Sequence, residues 1–486
     1  MFANDKKLAV GRLQWKWPLQ AAAVGLIATG WTALAMAQAA VTVPFVERFE
    51  PVANDASTGL LATIPNLWGG HQPRITRHAD GTIRLLYITV DSSATLTWHL
   101  MRRAPAGGWS QEASGPSTDD VALLRDARDD RAYVVAWPNS VPTVYTGPTY
   151  SPTKIPGNWQ ILPSKYRQYG NSGIASDGTL CIKASREINV APVTSQDRTD
   201  YACGNYSATT GVWAWGGQVS HYIGLRHTYD YLFPNPKGLP AGLYGAAQRD
   251  LQKLASNVPL LDPSKTPYVY NGSRVYNGAL AADPTTTDTT HWTQADAVPP
   301  IFAPVGATAA PMAKLQDAYI DSKGRLFASN HKEDPTDATV YGTYLTVTDP
   351  AGNVLFSGKW GSNLQTYGSV RIFEDGKNRL WLLWSNRGSR SSELLLYPII
   401  ETASPLKFTL GAYTDLSKLT FPYALDGTIF MAANRGGNTP GQYVDAIMNA
   451  CTVPYVSGQL YVNANCYNAD GSGLQRIAYM RIHLPD

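Results

Sequence analysis

The sequence is poor in charge, in cysteine and in the short motifs that mark the commonest enzyme classes. Charged residues make up 16% of the chain, and the formal net charge is only +3. So small an excess, with no dense Lys/Arg run beyond the N-terminal segment, argues against a nucleic-acid partner. A Ser-His-Asp signature, a phosphate-binding loop and a His-Glu-x-x-His motif are all absent, which argues against the enzyme classes that depend on them.

Long apolar runs are also lacking, apart from one near the N-terminus. Residues 21–37 carry no charge and follow a basic segment that includes Lys6 and Arg12, and the run ends in the small-x-small triplet Ala35-Met36-Ala37. This pattern predicts a signal peptide over residues 1–37 and a secreted or periplasmic monomer with no membrane contact after cleavage. An uncleaved anchor is the alternative, but the run is shorter than the roughly 20 apolar residues that span a bilayer.

The four cysteines fall into two local pairs. Cys181 precedes Cys203, and Cys451 precedes Cys466, at spacings typical of neighbouring strands. In an exported protein this predicts two disulfides, each closing a loop worth about 3 kcal/mol in the chain-entropy model. Neither pair has the Cys-x-x-Cys spacing of a zinc site, so no metal-binding side chains are predicted. A structural Ca²⁺ held by backbone carbonyls would leave no trace in the sequence.

One local pattern recurs along the chain: an apolar strand, a turn usually built on Asp-Gly or Lys-Gly, and a second apolar strand. Asp-Gly between apolar runs is a strong hairpin signal, because glycine adopts positive φ at little cost. The predicted turns are Asp80-Gly81, Asp129-Asp130, Asp177-Gly178, Lys237-Gly238, Lys323-Gly324, Asp375-Gly376 and Asp426-Gly427.

Seven such hairpins, mostly about 50 residues apart, match the period of a four-stranded propeller blade. The sequence therefore predicts an all-β fold, a seven-bladed β-propeller over residues 38–486 with an insertion around 250–313. A pair of β-sandwich domains is the alternative, but it would not produce one recurring turn.

The hairpins also predict which face of the protein binds substrate. In an antiparallel hairpin the start of the first strand and the end of the second lie together, opposite the turn. Five hairpins carry a basic group at that place, which suits a carboxylated or sulfated substrate. Carboxylates are few there, whereas a glycoside hydrolase needs a facing pair of them. The candidate residues are His71, Arg74, Asn171, Arg186, Arg226, His227, Tyr229, Arg249, Asn330, His331, Arg387 and Arg435.

The chain resembles the BNR-repeat propellers that act on uronic-acid polysaccharides, among them the ulvan lyases and rhamnose-glucuronate lyases. The resemblance rests on His71-Gln72-Pro73 at the first hairpin, on the Asp-Gly turns and on the run from Tyr229 to Pro234. It implies that a first-blade histidine, a mid-chain tyrosine and nearby arginines carry out the elimination. His71, Tyr229 and Arg249 stand at those positions.

The chain departs from this family at one place. A second histidine is usual about twenty residues after the first, and here that place holds Val90-Asp91. His331, at the equivalent place in the fifth hairpin, is the candidate that takes its role. Sialidases are a second group of relatives to consider, because Pro73-Arg74-Ile75 is similar to their first-arginine motif, although their Asp boxes are absent.

These observations predict a secreted lyase that cleaves a uronate-containing polysaccharide by β-elimination and needs no identified cofactor. Tyr229 would move the proton, His71 or His331 would act as the partner base, and Arg249 with Arg186 would neutralise the substrate carboxylate. The other candidates would bind substrate. A non-catalytic carbohydrate-binding propeller and a sialidase-like hydrolase are the alternatives.

Overall fold

Antiparallel β-strands account for most of the chain whose placement is described. The structure is a computed structural model, and the residues that it describes are 42–54, 72–90, 96–119, 121–159, 170–190, 193–222, 226–236, 238–252, 268–278, 292–298, 313–333, 341–361, 369–385, 394–419, 423–433, 442–454 and 476–486. Within these ranges there are thirty strands, two short 3₁₀ helices (Pro138–Ser140 and Leu416–Leu419) and no α-helix. None of the described helices is long and apolar enough to cross a membrane. The predicted all-β class is confirmed.

The strands are numbered in chain order. The first fifteen are β1 (Phe45–Asn54), β2 (Ile75–Arg77), β3 (Ile83–Val90), β4 (Leu96–Arg103), β5 (Trp109–Ser117), β6 (Ala122–Asp126), β7 (Arg131–Ala136), β8 (Thr143–Thr146), β9 (Ser151–Lys154), β10 (Gly170–Ile174), β11 (Leu180–Val190), β12 (Val193–Ser207), β13 (Val212–Trp215), β14 (Val219–Tyr222) and β15 (Arg226–Pro234). The other fifteen are β16 (Leu243–Gln252), β17 (Tyr268–Gly278), β18 (Trp292–Val298), β19 (Ala313–Ile320), β20 (Leu326–Glu333), β21 (Tyr341–Thr348), β22 (Val354–Gly361), β23 (Ser369–Glu374), β24 (Leu380–Ser385), β25 (Leu394–Ala403), β26 (Leu406–Leu410), β27 (Thr414–Asp415), β28 (Tyr423–Ala433), β29 (Tyr443–Pro454) and β30 (Arg476–His483).

Strands that follow one another along the chain pair into sheets. Three sheets have the orders β2-β3-β4-β5, β6-β7-β8-β9 and β10-β11-β12-β13, and β14 also pairs with β12. An eight-stranded sheet combines β15 to β18 with β19 to β22, and the two antiparallel groups meet in a single parallel residue pair, Asn271 with Ala313. A fifth sheet has the order β23-β24-β25-β26, with β27 on β25. β17 and β18 lie within residues 250–313, the predicted insertion, and they extend the sheet that β15 begins.

The two ends of the chain share the last sheet. Its order is β1-β30-β29-β28, and β1 pairs with β30 from Phe45 opposite His483 to Asn54 opposite Arg476. The strand that opens each group contacts the strand that opens the next, in the order β2, β6, β10, β15, β19, β23 and β28, and β29 contacts β2. The groups therefore follow one another in a closed series, with the opening strands on the inner side.

The hydrophobic core lies between consecutive groups rather than at one centre. The described residues form seven hydrophobic clusters, each with members from two neighbouring groups. One of them packs Trp98 of β4 with Leu123 of β6 and Val134 of β7, and all three side chains are inaccessible to solvent. Burying a large apolar side chain contributes about 1.5–3 kcal/mol, so these clusters hold each group against the next.

Most of the predicted turns form where the sequence places them. Gly81, Gly178 and Gly324 have φ of 83°, 81° and 77°, the left-handed conformation for which glycine was expected. In the sixth hairpin the residue with positive φ is Asn378 (φ 59°), two positions after the predicted Gly376. The seventh prediction is wrong, because β28 continues through Asp426-Gly427 as one strand with a register shift. Its pairing with the long strand β29 outweighs the turn preference of the dipeptide.

One predicted disulfide is confirmed. Cys181 and Cys203 are direct partners across β11 and β12, with Cα atoms 4.1 Å and sulfur atoms 2.04 Å apart. Cys451 lies on β29, and Cys466 falls outside the described residues, so the second disulfide stays a prediction.

Ion pairs at the turn ends make stability depend on pH. Arg325 donates two hydrogen bonds to Glu401 of β25, at 2.8 and 2.9 Å, and Lys323 adds a third at 3.1 Å. The Arg325 hydrogen bonds lower the pKa of Glu401 from 4.5 to about 2. Because the folded-state pKa is lower than the unfolded one, the contribution is complete above pH 4.5 and is lost as the pH falls towards 2.

We therefore expect Glu401→Gln to lower the free energy of unfolding at neutral pH and to cost progressively less as the pH falls from 4.5 towards 2. Urea unfolding of the variant and the natural protein across that range measures the difference. Lys323→Gln is the control, since the Lys323 side chain is 61% exposed and its pair should contribute little. A Glu401→Gln deficit that is the same at every pH would contradict the assignment.

Candidate functional site

A chain of buried polar side chains lies at the ends of the opening strands that are farthest from the turns. Gln72 Nε2 donates to Asn171 Oδ1 at 3.1 Å, and Asn171 Nδ2 lies 3.5 Å from Asp230 Oδ2. Lys183 Nζ donates to the same Asp230 oxygen at 2.5 Å. Gln72 precedes β2 and Asn171 lies on β10, so this contact joins two sheets that are separated in the series by β6-β9. The chain therefore places side chains of non-adjacent sheets together on the inner side.

Two β-bulges stand at equivalent places in this region. The pairing of β15 with β16 shifts between Thr228 and Tyr231, and that of β19 with β20 shifts between Leu315 and Asp317. The bulged residues Asp230 and Gln316 each lie five positions before the first residue of the following turn, Asn235 or Asp321. Bulges re-aim side chains and are common beside active sites.

The two bulges are connected through a second set of hydrogen bonds. Gln248 Oε1 accepts from the Leu315 amide at 2.5 Å, and the Tyr231 hydroxyl donates to the Gln316 carbonyl at 3.0 Å. Ser329 Oγ lies 3.4 Å from Gln316 Oε1. These contacts tie the strands β15, β16, β19 and β20 to one another at the ends where the candidate residues lie.

Two of the buried carboxylates in this region, Asp230 and Asp317, are each held by a group from a neighbouring sheet. Asp230 of β15 is paired with Lys183 of β11, and Asp317 of β19 accepts from the Ile372 amide at 2.6 Å while Arg371 Nη1 lies 3.9 Å away. All four charged side chains are at most 3% exposed. Burial raises the pKa of Asp230 and lowers the pKa of Lys183, because both charged forms lose hydration, and each partner's charge opposes that shift.

The structure brings part of the predicted set into this region. Asn171 joins the polar chain, and Arg74, Asn330 and His331 are buried, with exposures of 7%, 0% and 1%. Asn330 Nδ2 donates to the Ala328 carbonyl at 3.2 Å, one of the contacts that hold it on β20.

Other predicted residues are placed by their backbone alone. Tyr229 lies in the bulge of β15, and His227 is the direct partner of Arg249 across β15 and β16. Arg226 pairs with Asp250 in the same hairpin, and Arg186 lies on β11 opposite Arg198. The side chains of these residues are not described. His71, Arg387 and Arg435 lie outside the described residues.

Sequence reasoning did not single out Lys183 or Arg371 as site residues. Each stands in an apolar strand: Lys183 follows Leu180-Cys181-Ile182, and Arg371 lies between Val370 and Ile372. A lone cation in a buried strand is the signal that would have found them, because a buried charge needs a partner. Within the described ranges, no three His, Cys, Asp or Glu side chains are grouped so that they could hold a metal ion.

Comparison with known proteins identifies no family for this chain. No protein-family model matches it, and no curated protein matches it. Among solved structures, a polysaccharide lyase, Uly1, is 10% identical with a TM-score of 0.49, and covers 92% of this chain and 100% of its own. A PL25 ulvan lyase bound to -[GlcA(1-4)Rha3S]- is 9% identical with a TM-score of 0.47, covering 82% and 93%.

An α-L-arabinanase of Penicillium chrysogenum complexed with arabinobiose is 10% identical with a TM-score of 0.41, covering 91% of this chain and 98% of its own. At TM-scores below 0.5, these likenesses assign no activity to the chain.

Proposed function

We propose that the chain is a seven-bladed β-propeller that acts as a secreted or periplasmic polysaccharide lyase on a uronic-acid-containing glycan. The closed series of antiparallel groups supports the propeller, and the seven hydrophobic clusters between neighbouring groups support the count of seven blades. In this count the eight-stranded sheet is two blades that share one parallel residue pair.

The choice of a lyase over a hydrolase rests on the partners that Asp230 and Asp317 bind. Asp230 is bound to Lys183, while Asp317 accepts from a backbone amide and faces Arg371. A retaining or inverting hydrolase needs two carboxyl groups that face each other across the scissile bond. Asp230 and Asp317 are engaged within the protein instead, whereas the backbones of Tyr229, Arg249 and His331 lie at the same ends of their hairpins.

In the proposed reaction a base removes the proton at C5 of the uronate. The electrons of that C–H bond form the C4=C5 double bond, the C4–O bond breaks, and the leaving oxygen takes up a proton. Tyr229 moves the proton, with His71 or His331 as partner base, and Arg249 and Arg186 stabilise the charge that develops on the carboxylate. Arg74, Asn171 and Asn330 belong to the surface that binds the acidic glycan, together with Arg226, His227, Arg387 and Arg435.

Incubation of the full chain with ulvan, gum arabic and other uronate glycans tests this proposal. We expect the ultraviolet absorbance of the unsaturated uronate product to rise. We expect either His71→Ala or His331→Ala, whichever removes the partner base, to slow that rise by about 10²-fold or more. His99→Ala is a matched control, because His99 lies on β4 in hydrogen bonds with Thr89 and Gln111. New reducing ends without the absorbance would identify a hydrolase, and binding without either product would identify a carbohydrate-binding protein.

A further inference from the structure

The Lys183–Asp230 ion pair has no role in the reaction as proposed, yet among the described side chains of the candidate site it is almost completely buried. The Lys183 side chain is 2% exposed and the Asp230 side chain 0%. A buried ion pair is weak evidence for stability, because the cost of removing two charges from water offsets most of their attraction. Stability alone therefore does not explain why the pair is present, and its position in the fold suggests a local role.

That place is the bulge that carries Tyr229. Asp230 follows Tyr229 directly, and both lie where the pairing of β15 with β16 shifts. Lys183 reaches Asp230 from the neighbouring sheet, and Asn171, its direct partner across β10 and β11, reaches the same carboxylate. The bulge is thus anchored to another sheet through one side chain, next to the residue assigned to proton transfer.

The same sheet also packs closely against β15 directly after the bulge. A Cβ atom at Gly173 of β10 would lie 2.4 Å from the Leu232 carbonyl oxygen and 2.9 Å from Pro234 Cδ. Only glycine allows β10 to approach β15 so closely. Backbone contact beyond the bulge and the ion pair within it together restrict the path of β15.

We propose that Lys183 is a positioning residue for Tyr229, acting through its ion pair with Asp230. The pair holds the bulged backbone of β15 against the neighbouring sheet and so sets where the Tyr229 side chain is presented. The inference deepens the proposed function and rests on it for the role of Tyr229. Positioning has large effects on rate, since a displacement of about 1 Å can cost about 10²-fold.

The double variant Lys183→Met/Asp230→Asn tests the proposal, because it removes both charges and leaves no buried ion without a partner. Its matched control is Arg77→Met/Asp445→Asn, which removes an equally buried pair beside the turn of the first hairpin. Isotope-labelled tyrosine allows the Tyr229 resonance to be assigned by its loss in Tyr229→Phe. We expect the Lys183/Asp230 variant to move or broaden that resonance and the control variant to leave it unchanged.

Turnover gives the second measurement. On a glycan that the natural protein cleaves, we expect the Lys183/Asp230 variant to lower kcat by about tenfold to a hundredfold with little change in KM, and the control to lower thermal stability alone. An unchanged Tyr229 resonance in the folded Lys183/Asp230 variant would overturn the inference. If the natural protein cleaves no uronate glycan, the proposed function fails, and the resonance still decides whether the pair positions Tyr229.

Discussion

Replacing Asp445 with alanine is expected to lower the free energy of unfolding by about 3–5 kcal/mol. Asp445 of β29 accepts two hydrogen bonds from Arg77 of β2, at 2.7 and 2.5 Å, and a third from the Tyr479 hydroxyl at 2.7 Å. The Asp445 side chain is inaccessible to solvent and that of Arg77 is 6% exposed, so the substitution leaves a buried guanidinium without its counterion.

This ion pair lies where the series of strand groups closes. β29 belongs to the sheet that also holds β1, and Arg77 belongs to the first hairpin, so the pair joins the last group of strands to the first. Urea unfolding of Asp445→Ala measures the loss. Lys323→Ala should cost less than about 1 kcal/mol, because that side chain is 61% exposed. A similar, small cost for both variants would mean that Asp445→Ala does not leave Arg77 as an uncompensated buried charge.

Replacing Tyr229 with phenylalanine is expected to lower kcat on a uronate glycan by about 10²–10⁴-fold, because the substitution removes only the hydroxyl that the proposed reaction uses for proton transfer. Affinity for the glycan should change little, since the ring is retained. Initial rates of unsaturated product formation, together with binding measured on the same glycan, separate the two effects.

Tyr231→Phe is the matched control for Tyr229→Phe. Tyr231 lies two positions away on β15, and its hydroxyl donates to the Gln316 carbonyl, so its loss should reduce stability by about 1–3 kcal/mol and lower kcat far less than the loss of the Tyr229 hydroxyl. Full activity of Tyr229→Phe would remove Tyr229 from the mechanism. Equal losses of activity in both variants would indicate damage to β15 rather than a lost proton donor.

Local chemistry predicted the hairpins well where the chain had no competing partner. At Gly81, Gly178 and Gly324 the need for positive φ is a property of a few residues, so the dipeptide was sufficient to locate the turn. Asp426-Gly427 has the same dipeptide, yet β29 continues beside it and the strand bulges instead of turning. A turn dipeptide shows that the backbone can adopt a turn at that position. Whether the turn forms depends on whether a neighbouring strand pairs with the same residues.

The sequence by itself determined the all-β class, most of the turns and the Cys181–Cys203 disulfide, because these depend on local conformation and on residues in adjacent strands. Only the tertiary structure decided that β1 completes the sheet of β28 to β30, and that Gln72 meets Asn171 across an intervening sheet. It also decided that Lys183, in an apolar strand, pairs with the bulged Asp230. Such contacts join residues far apart in the chain. Strand periodicity predicts which face of a sheet a residue occupies, but it does not predict which residue of another strand it contacts.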